Sequence, residues 1–211
     1  MVDHEDHDHK ALHRFNELWK TNFAHDSLLV FSTGRSHNLF TKLQQEAPLL
    51  VPDVLVCSVG TEIFFESAGS EPQADKKWAA ELDQGWNREA ALAAAASIPE
   101  LKAQAESEQR PHKLSYHLST KGDAAKQAIS QLEAKLADAG VKAKVIYSGG
   151  VDVDILPFNA SKGDGLKFLL KEIWDAGGAP KEGVMVCGDS GNDVELFAVP
   201  DRGRSPSVQE S

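Results

Sequence analysis

The chain has 211 residues, and its 22 lysines and arginines against 32 aspartates and glutamates give a formal net charge of −10 at pH 7. This acidic balance argues against nucleic acid and against an anionic membrane surface as partners. Apolar residues make up 41% and charged residues 26% of the sequence, which is typical of a folded globular protein and excludes a wholly disordered or fibrous chain. The longest apolar runs fall far short of a membrane span, and Met1 does not open a signal sequence. We therefore expect a soluble cytoplasmic protein.

The first part of the chain alternates helices with fully apolar strands. Apolar residues at helical spacing over 11–23 predict a helix, and the run 28–31 predicts a buried strand. A second helix is expected over 38–45, and a second buried strand over 54–59. This alternation indicates a parallel sheet.

The residue composition changes after this first part. Residues 67–73 resemble a linker, and an alanine-rich helical stretch follows around 90–96. A strand over 114–118, an amphipathic helix over 125–136 and a strand over 145–147 then predict a small β-α-β unit.

Core-like segments return near residue 153. They are a strand over 153–156, a helix over 166–173 and a strand over 184–187. We expect an α/β protein with a Rossmann-like parallel core interrupted by an inserted α/β cap domain. The expected divisions are core over 1–70, cap over 71–149, core again over 150–201, and a disordered polar tail over 202–211.

The two cysteines, Cys57 and Cys187, each lie in an apolar run. We expect both to be small buried hydrophobic residues in a reducing compartment. A disulfide between them is the alternative.

The most informative polar segment is Gly-Asp-Ser-Gly-Asn-Asp at 188–193, between a predicted strand and a predicted helix. Ligands of open α/β sheets bind at such strand ends. Two carboxylates and an amide on one glycine-rich turn suit Mg²⁺, which prefers oxygen ligands. A helix-capping turn is the alternative, but capping explains only one or two of the six residues.

Two further segments carry candidate phosphate-binding groups. Residues 32–36 follow a predicted buried strand, and the hydroxyl of Thr33 with nearby backbone N–H groups could hold a phosphate oxygen. Lys162 opens a predicted helix after another strand. The alternatives are ordinary turn chemistry for the first and a solvated surface charge for the second.

In this order, Thr33, the insert, Lys162 and the 188–193 turn resemble motifs two, three and four of the haloacid-dehalogenase-like phosphatases that carry a large α/β cap. The string Glu-Gln-Arg-Pro-His-Lys at 108–113 and the segments 146–150 and 153–157 resemble the plant and algal sucrose-phosphate phosphatases, as does the beginning of the chain. The resemblance runs from Met1 to about Asp201.

The resemblance implies Mg²⁺-dependent hydrolysis of sucrose 6-phosphate through an aspartyl-phosphate intermediate. By the resemblance, Thr33 would hold the phosphoryl oxygens with Gly34 and Arg35 beside it, and Lys162 would neutralise the phosphoryl charge. Asp189 would bind Mg²⁺, while Asn192 and Asp193 would orient the phosphate and Lys162. The cap residues that could bind sugar hydroxyls are Glu108, Gln109, His112 and Lys113. For any single cap residue, a solvated polar position is the alternative. The expected partners are a small sugar phosphate and, as a candidate protein, sucrose-phosphate synthase.

The resemblance also implies a nucleophilic aspartate in an Asp-x-Asp motif, and no segment of this sequence corresponds to that motif in its expected place. In the family, an Asp-x-Asp pair ends the first core strand, just upstream of the stretch that Met1 to His4 resembles, so we expect that strand to be missing here. Asp6 and Asp8 have the Asp-x-Asp spacing, but no apolar strand precedes them, so we do not expect either to be the nucleophile. The histidines among them are a weak candidate metal site that we interpret as solvated charge.

Three functions therefore stay open. The first is a sucrose-phosphate phosphatase domain that is inactive as this chain. The second is a noncatalytic sugar-phosphate-binding or regulatory module. The third is a phosphatase of another sugar phosphate or of a glycerate phosphate. The core motifs indicate only that a phosphate group is bound, and only the cap residues bear on which alcohol carries that phosphate.

Overall fold

A computed structural model describes residues 8–65, 72–178, 183–188 and 193–199 of the chain. The described helices are α1 (Lys10–Asn22), α2 (His37–Glu46), α3 (Lys76–Leu82), α4 (Arg88–Ala96), α5 (Gly122–Asp138), α6 (Lys162–Asp175) and α7 (Val194–Phe197). The described strands are β1 (Val30–Ser32), β2 (Val54–Cys57), β3 (Glu62–Phe65), β4 (Leu101–Ala103), β5 (Leu114–Leu118), β6 (Ala143–Ser148) and β7 (Asp152–Pro157). Two short 3₁₀ turns, Ser58–Gly60 and Glu106–Glu108, complete these elements.

The first sheet has three strands in the order β1-β2-β3. β1 and β2 are parallel, as expected for strands joined through a helix, and β3 returns antiparallel to β2. All four residues of β2 are buried, which explains its continuous apolar sequence. The helices expected over 11–23 and 38–45 are confirmed as α1 and α2, whereas the antiparallel strand β3 was not predicted.

The second sheet has four antiparallel strands in the order β4-β5-β7-β6. Buried residues of α4 and α5 pack against one face of it and form a separate hydrophobic cluster with β5 and β7. The predicted strand, helix and strand are present as β5, α5 and β6, but β7 lies between the two strands of this unit.

β7 corrects one expectation about the division of the chain. The strand over 153–156 is expected to belong to the core, but its ladder partners are β5 and β6 of the second sheet. The reason is a tight hairpin, because Gly149 and Gly150 both adopt positive φ between β6 and β7. The second sheet therefore extends beyond residue 149.

The strand expected over 184–187 is not formed. These residues have no regular secondary structure and no ladder partner within the described segments. Val184 and Val186 are only partly buried and pack against the main hydrophobic cluster. Strands need backbone hydrogen bonds to a neighbour, so an apolar pattern alone does not produce one.

Both cysteines are free thiols, as expected, but only one is buried. Cys57 in β2 has no exposed surface, whereas Cys187 is exposed. The expectation that both are buried is wrong for Cys187, because its segment does not join a sheet.

The main hydrophobic cluster lies between the first sheet and α6. Val54 and Val56 of β2 contribute from the sheet, and Phe168 and Leu169 contribute from the helix. Phe168 also packs against Trp78 of α3, with ring centroids 5.1 Å apart. Within the segments that the structure describes, no helix has both the length and the apolar character to cross a membrane.

Candidate functional site

The turn after β1 carries the first candidate residues. The Thr33 backbone N–H donates to the carbonyl of Val56 at 2.8 Å, and this bond extends the pairing of β1 and β2 past the strand end. The Thr33 hydroxyl accepts from the Arg35 N–H at 3.2 Å, which bends the chain towards α2. Ser36 caps α2 by accepting from the Leu39 N–H at 3.4 Å. Thr33 and Gly34 are half-buried and Arg35 is exposed.

Lys162 is the first residue of α6, and its side chain is almost completely buried. Ser161 caps the helix by accepting from the Asp164 N–H at 3.0 Å. The Lys162 Nζ donates to Asp193 Oδ1 at 2.7 Å, and the two residues are 6% and 5% exposed. Two charges at this depth are tolerated because each compensates the other.

The Ser58–Gly60 turn connects the Thr33 turn to the start of α6. The Val59 N–H donates to the Thr33 carbonyl at 3.2 Å. On the other side, Gly60 lies so close to α6 that a Cβ atom on it would be 2.1 Å from the Ser161 carbonyl oxygen and 2.6 Å from the Lys162 nitrogen. The Thr33 turn and the beginning of α6 therefore flank one short turn.

The acidic segment 188–193 is described only at its two ends. Gly188 packs directly on Asp193, since a Cβ on Gly188 would be 2.5 Å from the Asp193 Cβ. The two described ends of the segment therefore lie next to each other, beside the Lys162–Asp193 pair. Asp189 and Asn192 lie outside the described residues.

The described residues contain no group of three histidine, cysteine, aspartate or glutamate side chains that could hold a metal ion. Asp193 uses its Oδ1 atom for Lys162. The described donor atoms therefore do not by themselves form a site for Mg²⁺.

The 108–113 loop brings two of the predicted cap residues to the Thr33 turn. Lys113 is 2% exposed, and its Nζ donates to Glu108 Oε2 at 2.9 Å and to the Gly34 carbonyl at 3.2 Å. The Ser36 N–H donates to Glu108 Oε1 at 3.3 Å. Burial opposes ionisation of Glu108, but the hydrogen bond from Ser36 and the Lys113 ammonium outweigh it, so the pKa of Glu108 is lowered.

The other two predicted cap residues have different partners. The Gln109 side chain hydrogen-bonds both backbone groups of Ser115, accepting from its N–H at 3.2 Å and donating to its carbonyl at 2.7 Å. The His112 Nε2 lies 2.8 Å from Asp83 Oδ1 at the end of α3. The structure therefore brings Glu108 and Lys113 together with Gly34, while Gln109 and His112 anchor the ends of the loop.

Several polar residues near this junction were not identified from the sequence. Ser36 has no exposed surface and joins the loop through its N–H. Asp154 in β7 accepts from the hydroxyl of Ser115 at 2.5 Å, and burial raises the pKa of Asp154. The signal that could have revealed Asp154 is the alternation Asp-Val-Asp-Ile over 152–155, which is typical of a strand with one polar face.

Comparison with known proteins identifies the family. A family model described as sucrose-6F-phosphate phosphohydrolase matches residues 1–204. The chain belongs to the sucrose-6F-phosphate phosphohydrolase family. It is 45% identical over 201 residues to sucrose-phosphatase 1 of Nicotiana tabacum, an alignment that covers 95% of this chain and 46% of that protein. The chain thus spans about half the length of the curated plant relatives that it matches.

Three further similarities extend the comparison to a bacterial relative and to solved structures. The chain is 30% identical over 193 residues to the mannosylfructose-phosphate phosphatase of Agrobacterium fabrum, covering 90% of this chain and 73% of that protein. The sucrose-phosphatase of Synechocystis, solved in complex with sucrose and phosphate, superposes with a TM-score of 0.77 at 32% identity and covers 94% of this chain and 74% of that one. A haloacid dehalogenase-like hydrolase from Bacillus subtilis shares the fold, with a TM-score of 0.57 at 17% identity over 94% of this chain and 73% of that one. The α/β class with a haloacid-dehalogenase-like core and a cap is therefore confirmed for this member of the sucrose-6F-phosphate phosphohydrolase family.

Proposed function

We propose that this chain is the phosphatase domain of an enzyme that hydrolyses sucrose 6-phosphate to sucrose and phosphate. The observation that supports this most is the buried contact of Lys113 and Glu108 with Gly34 and Ser36, because it joins hydroxyl-binding groups of the cap to the turn that carries Thr33. A phosphorylated sugar needs both kinds of group within one molecule's length.

The phosphate end of the substrate is assigned to the core residues. Thr33 offers its hydroxyl, Gly34 its backbone N–H and Arg35 its guanidinium to the phosphoryl oxygens. Lys162 neutralises charge on the phosphoryl group, and Asp193 fixes the direction of its ammonium through the 2.7 Å hydrogen bond. In the overall reaction the bond between phosphorus and the sugar oxygen breaks, and water supplies the hydroxyl on phosphorus and the proton on the sugar.

The sugar end is assigned to the cap. Glu108 and Lys113 provide an acceptor and a donor that can exchange their mutual contact for sugar hydroxyls. Gln109 and His112 complete the predicted set, and their bonds to Ser115 and Asp83 would hold the loop in position.

Mg²⁺ is part of the proposal and is assigned to Asp189, with Asn192 beside it orienting the phosphate. The resemblance of the 188–193 turn supports this assignment, together with the preference of Mg²⁺ for hard oxygen ligands. When bound, the ion would supply positive charge to the phosphoryl oxygens.

The proposed reaction needs a nucleophile, for which the sequence offers two Asp-x-Asp pairs. The sequence contains Asp-x-Asp at 6–8 and again at 152–154. The second pair lies within β7, where its carboxylates already bind Ser115, Gln104 and His117. In the described segments no strand ends in such a pair. We propose that this chain binds the substrate but does not turn it over, and that an upstream strand ending in Asp-x-Asp restores turnover.

The same observation favours a second function, a noncatalytic module that binds a sugar phosphate. Sucrose-phosphate synthase is the proposed protein partner in either case, and the cytoplasm is the proposed location. The proposed division keeps the core over 1–70 and the beginning of the cap at 71, but since β7 belongs to the sheet of the cap, the second part of the core would begin after Pro157 and not at 150.

A phosphate-release assay with sucrose 6-phosphate and Mg²⁺ tests the proposal. We expect no turnover from this chain and recovery of turnover when a strand ending in Asp-x-Asp is added before Met1. Turnover by the unextended chain at a typical enzymatic rate, of order 1–10³ s⁻¹, would show that the nucleophile lies within it. Hydrolysis by the extended chain of fructose 6-phosphate or 3-phosphoglycerate in preference to sucrose 6-phosphate would contradict the assigned substrate.

A further inference from the structure

A strained turn lies beneath the junction between the core and the 108–113 loop. Ser58, Val59 and Gly60 have consecutive positive φ values of 54°, 59° and 92°. Left-handed backbone is unfavourable for residues with a side chain, and most of all for a β-branched residue such as Val59. Conformations of this kind persist only where surrounding contacts enforce them.

One side chain that contacts this turn is that of Glu62, a buried carboxylate in β3. Glu62 is 5% exposed, and its Oε2 accepts from the Ser58 hydroxyl at 2.7 Å. Ser58 is fully buried, and its N–H donates to the Arg35 carbonyl at 2.9 Å. Glu62 is therefore connected through one residue to the turn that carries Thr33.

Glu62 also holds the cap loop through Arg110. The Arg110 Nε donates to Glu62 Oε2 at 2.9 Å and its Nη2 donates to Oε1 at 2.7 Å, a bidentate pair. This pair raises the pKa of Arg110. A planar two-bond contact fixes direction as well as distance.

Arg110 is also bonded to Lys113, so the position of Arg110 determines the position of the Lys113 backbone. The Arg110 N–H donates to the Lys113 carbonyl at 2.8 Å, and the Lys113 N–H donates to the Arg110 carbonyl at 3.3 Å. Through these bonds a shift of Arg110 would move the Lys113 ammonium, which contacts Glu108 and Gly34.

We propose that Glu62 is a positioning residue for the sugar phosphate, which holds the Thr33 turn through Ser58 and the Glu108–Lys113 pair through Arg110. This inference rests on the proposed function. Glu62 does not need to contact the ligand. Its role is to keep the phosphate-facing turn and the sugar-facing loop at a fixed separation, which a ligand that spans both requires.

The test compares Glu62→Gln and Arg110→Lys with a matched control, Glu172→Gln. The control also removes one carboxylate from an ion pair, the 2.6 Å contact of Glu172 with Lys77 between α6 and α3, away from the junction. Arg110→Lys keeps a cation but not the bidentate geometry. If Glu62→Gln does not fold, Arg110→Lys carries the test, because Arg110 lies in a partly exposed loop.

The first measurement is amide hydrogen exchange without ligand, so its result does not depend on the proposed function. We expect Glu62→Gln to speed exchange on the order of tenfold in residues 33–36 and 106–115, with α5 unchanged and Arg110→Lys intermediate. Equal exchange in wild type and variant, or a uniform increase over the whole chain, would overturn the inference.

The second measurement is calorimetric titration with sucrose 6-phosphate and with inorganic phosphate. We expect Glu62→Gln to weaken sucrose 6-phosphate binding roughly 10- to 100-fold and phosphate binding by a clearly smaller factor, because inorganic phosphate contacts only one of the two segments that Glu62 holds. Equal losses for both ligands, or none, would overturn the positioning role. Absence of binding by the wild-type chain would count against the proposed function, and hydrogen exchange would still decide whether Glu62 holds the loop.

Discussion

Lys162 and Asp193 are 31 positions apart in sequence, and their side chains form a 2.7 Å ion pair that is almost completely buried. The pair ties the start of α6 to the segment that ends the acidic turn. Removing one partner of a buried ion pair leaves the other charge uncompensated, so a substitution in this part of the proposed phosphate site should also lower the stability of the fold.

Lys162→Met should therefore lower the free energy of unfolding by about 3–5 kcal/mol, because it leaves the Asp193 carboxylate buried without its ammonium. Urea unfolding measures the change. Lys126→Met is the control, since Lys126 forms an exposed 3.2 Å pair with Asp123 that contributes less than about 1 kcal/mol. Similar losses of unfolding free energy in both variants would show that the buried Lys162–Asp193 pair stabilises the fold no more than an exposed pair does.

Gly60 is expected to be intolerant of any side chain. Gly60→Ala introduces both a positive-φ penalty and a Cβ 2.1 Å from the Ser161 carbonyl oxygen, so we expect a loss of roughly 3 kcal/mol or more. Gly140→Ala is the matched control, because Gly140 has φ +70° with nothing within 4 Å, and only about 1–2 kcal/mol should be lost there. Thermal unfolding of the two variants compares them, and equal Tm values would contradict the close approach of Gly60 to α6.

Glu108 should give the junction a measurable pH dependence. The pKa of Glu108 is lowered from its ordinary value of 4.5, so its stabilising contribution is present above pH 4.5 and is lost as the pH falls through the lower folded-state value. In Glu108→Gln this part of the acid dependence should disappear, giving a shallower fall in unfolding free energy below pH 4.5. Urea titrations at several pH values measure the slope. An unchanged slope in Glu108→Gln would mean that the carboxylate is not paired as described.

The two thiols should react very differently. Cys187 is exposed, whereas Cys57 is buried, and both its burial and the nearby Glu62 carboxylate raise its pKa. We expect a thiol reagent to modify one cysteine in the folded protein and two after denaturation, with the rapid reaction lost in Cys187→Ser. Rapid modification of folded Cys187→Ser would show that β2 is accessible.

The sequence predicted the elements whose packing is local. α1, α2, α5 and α6 follow from apolar residues at helical spacing, and β2 follows from an uninterrupted apolar run. β3 was missed because the turn before it contains Ser58 and Val59 in left-handed conformations that no residue preference signals. The apolar pattern over 184–187 predicts a strand that is not formed, because strand formation depends on a neighbouring strand and not on the segment alone.

The candidate site was predictable in its parts but not in its connections. The order of Thr33, Lys162 and the 188–193 turn along the chain is what the resemblance to the family motifs rests on. The Lys162–Asp193 contact joins two of these segments, whereas Asp189 lies outside the described residues and its role stays a prediction. The contact of Lys113 with Gly34 could not be foreseen, because it depends on how the 108–113 loop meets the core. For the same reason the sequence did not distinguish Lys113, which reaches the Thr33 turn, from His112, which bonds Asp83.

The most direct test of the central claim is calorimetric titration of the folded chain with sucrose 6-phosphate and with inorganic phosphate, in wild type and in Lys113→Met. If the Thr33 turn and the 108–113 loop form one site, wild type binds sucrose 6-phosphate more tightly than phosphate, and Lys113→Met removes most of that difference while it keeps phosphate binding. A wild-type chain that is folded and binds neither ligand, or a Lys113→Met variant with the full wild-type preference, would contradict the account.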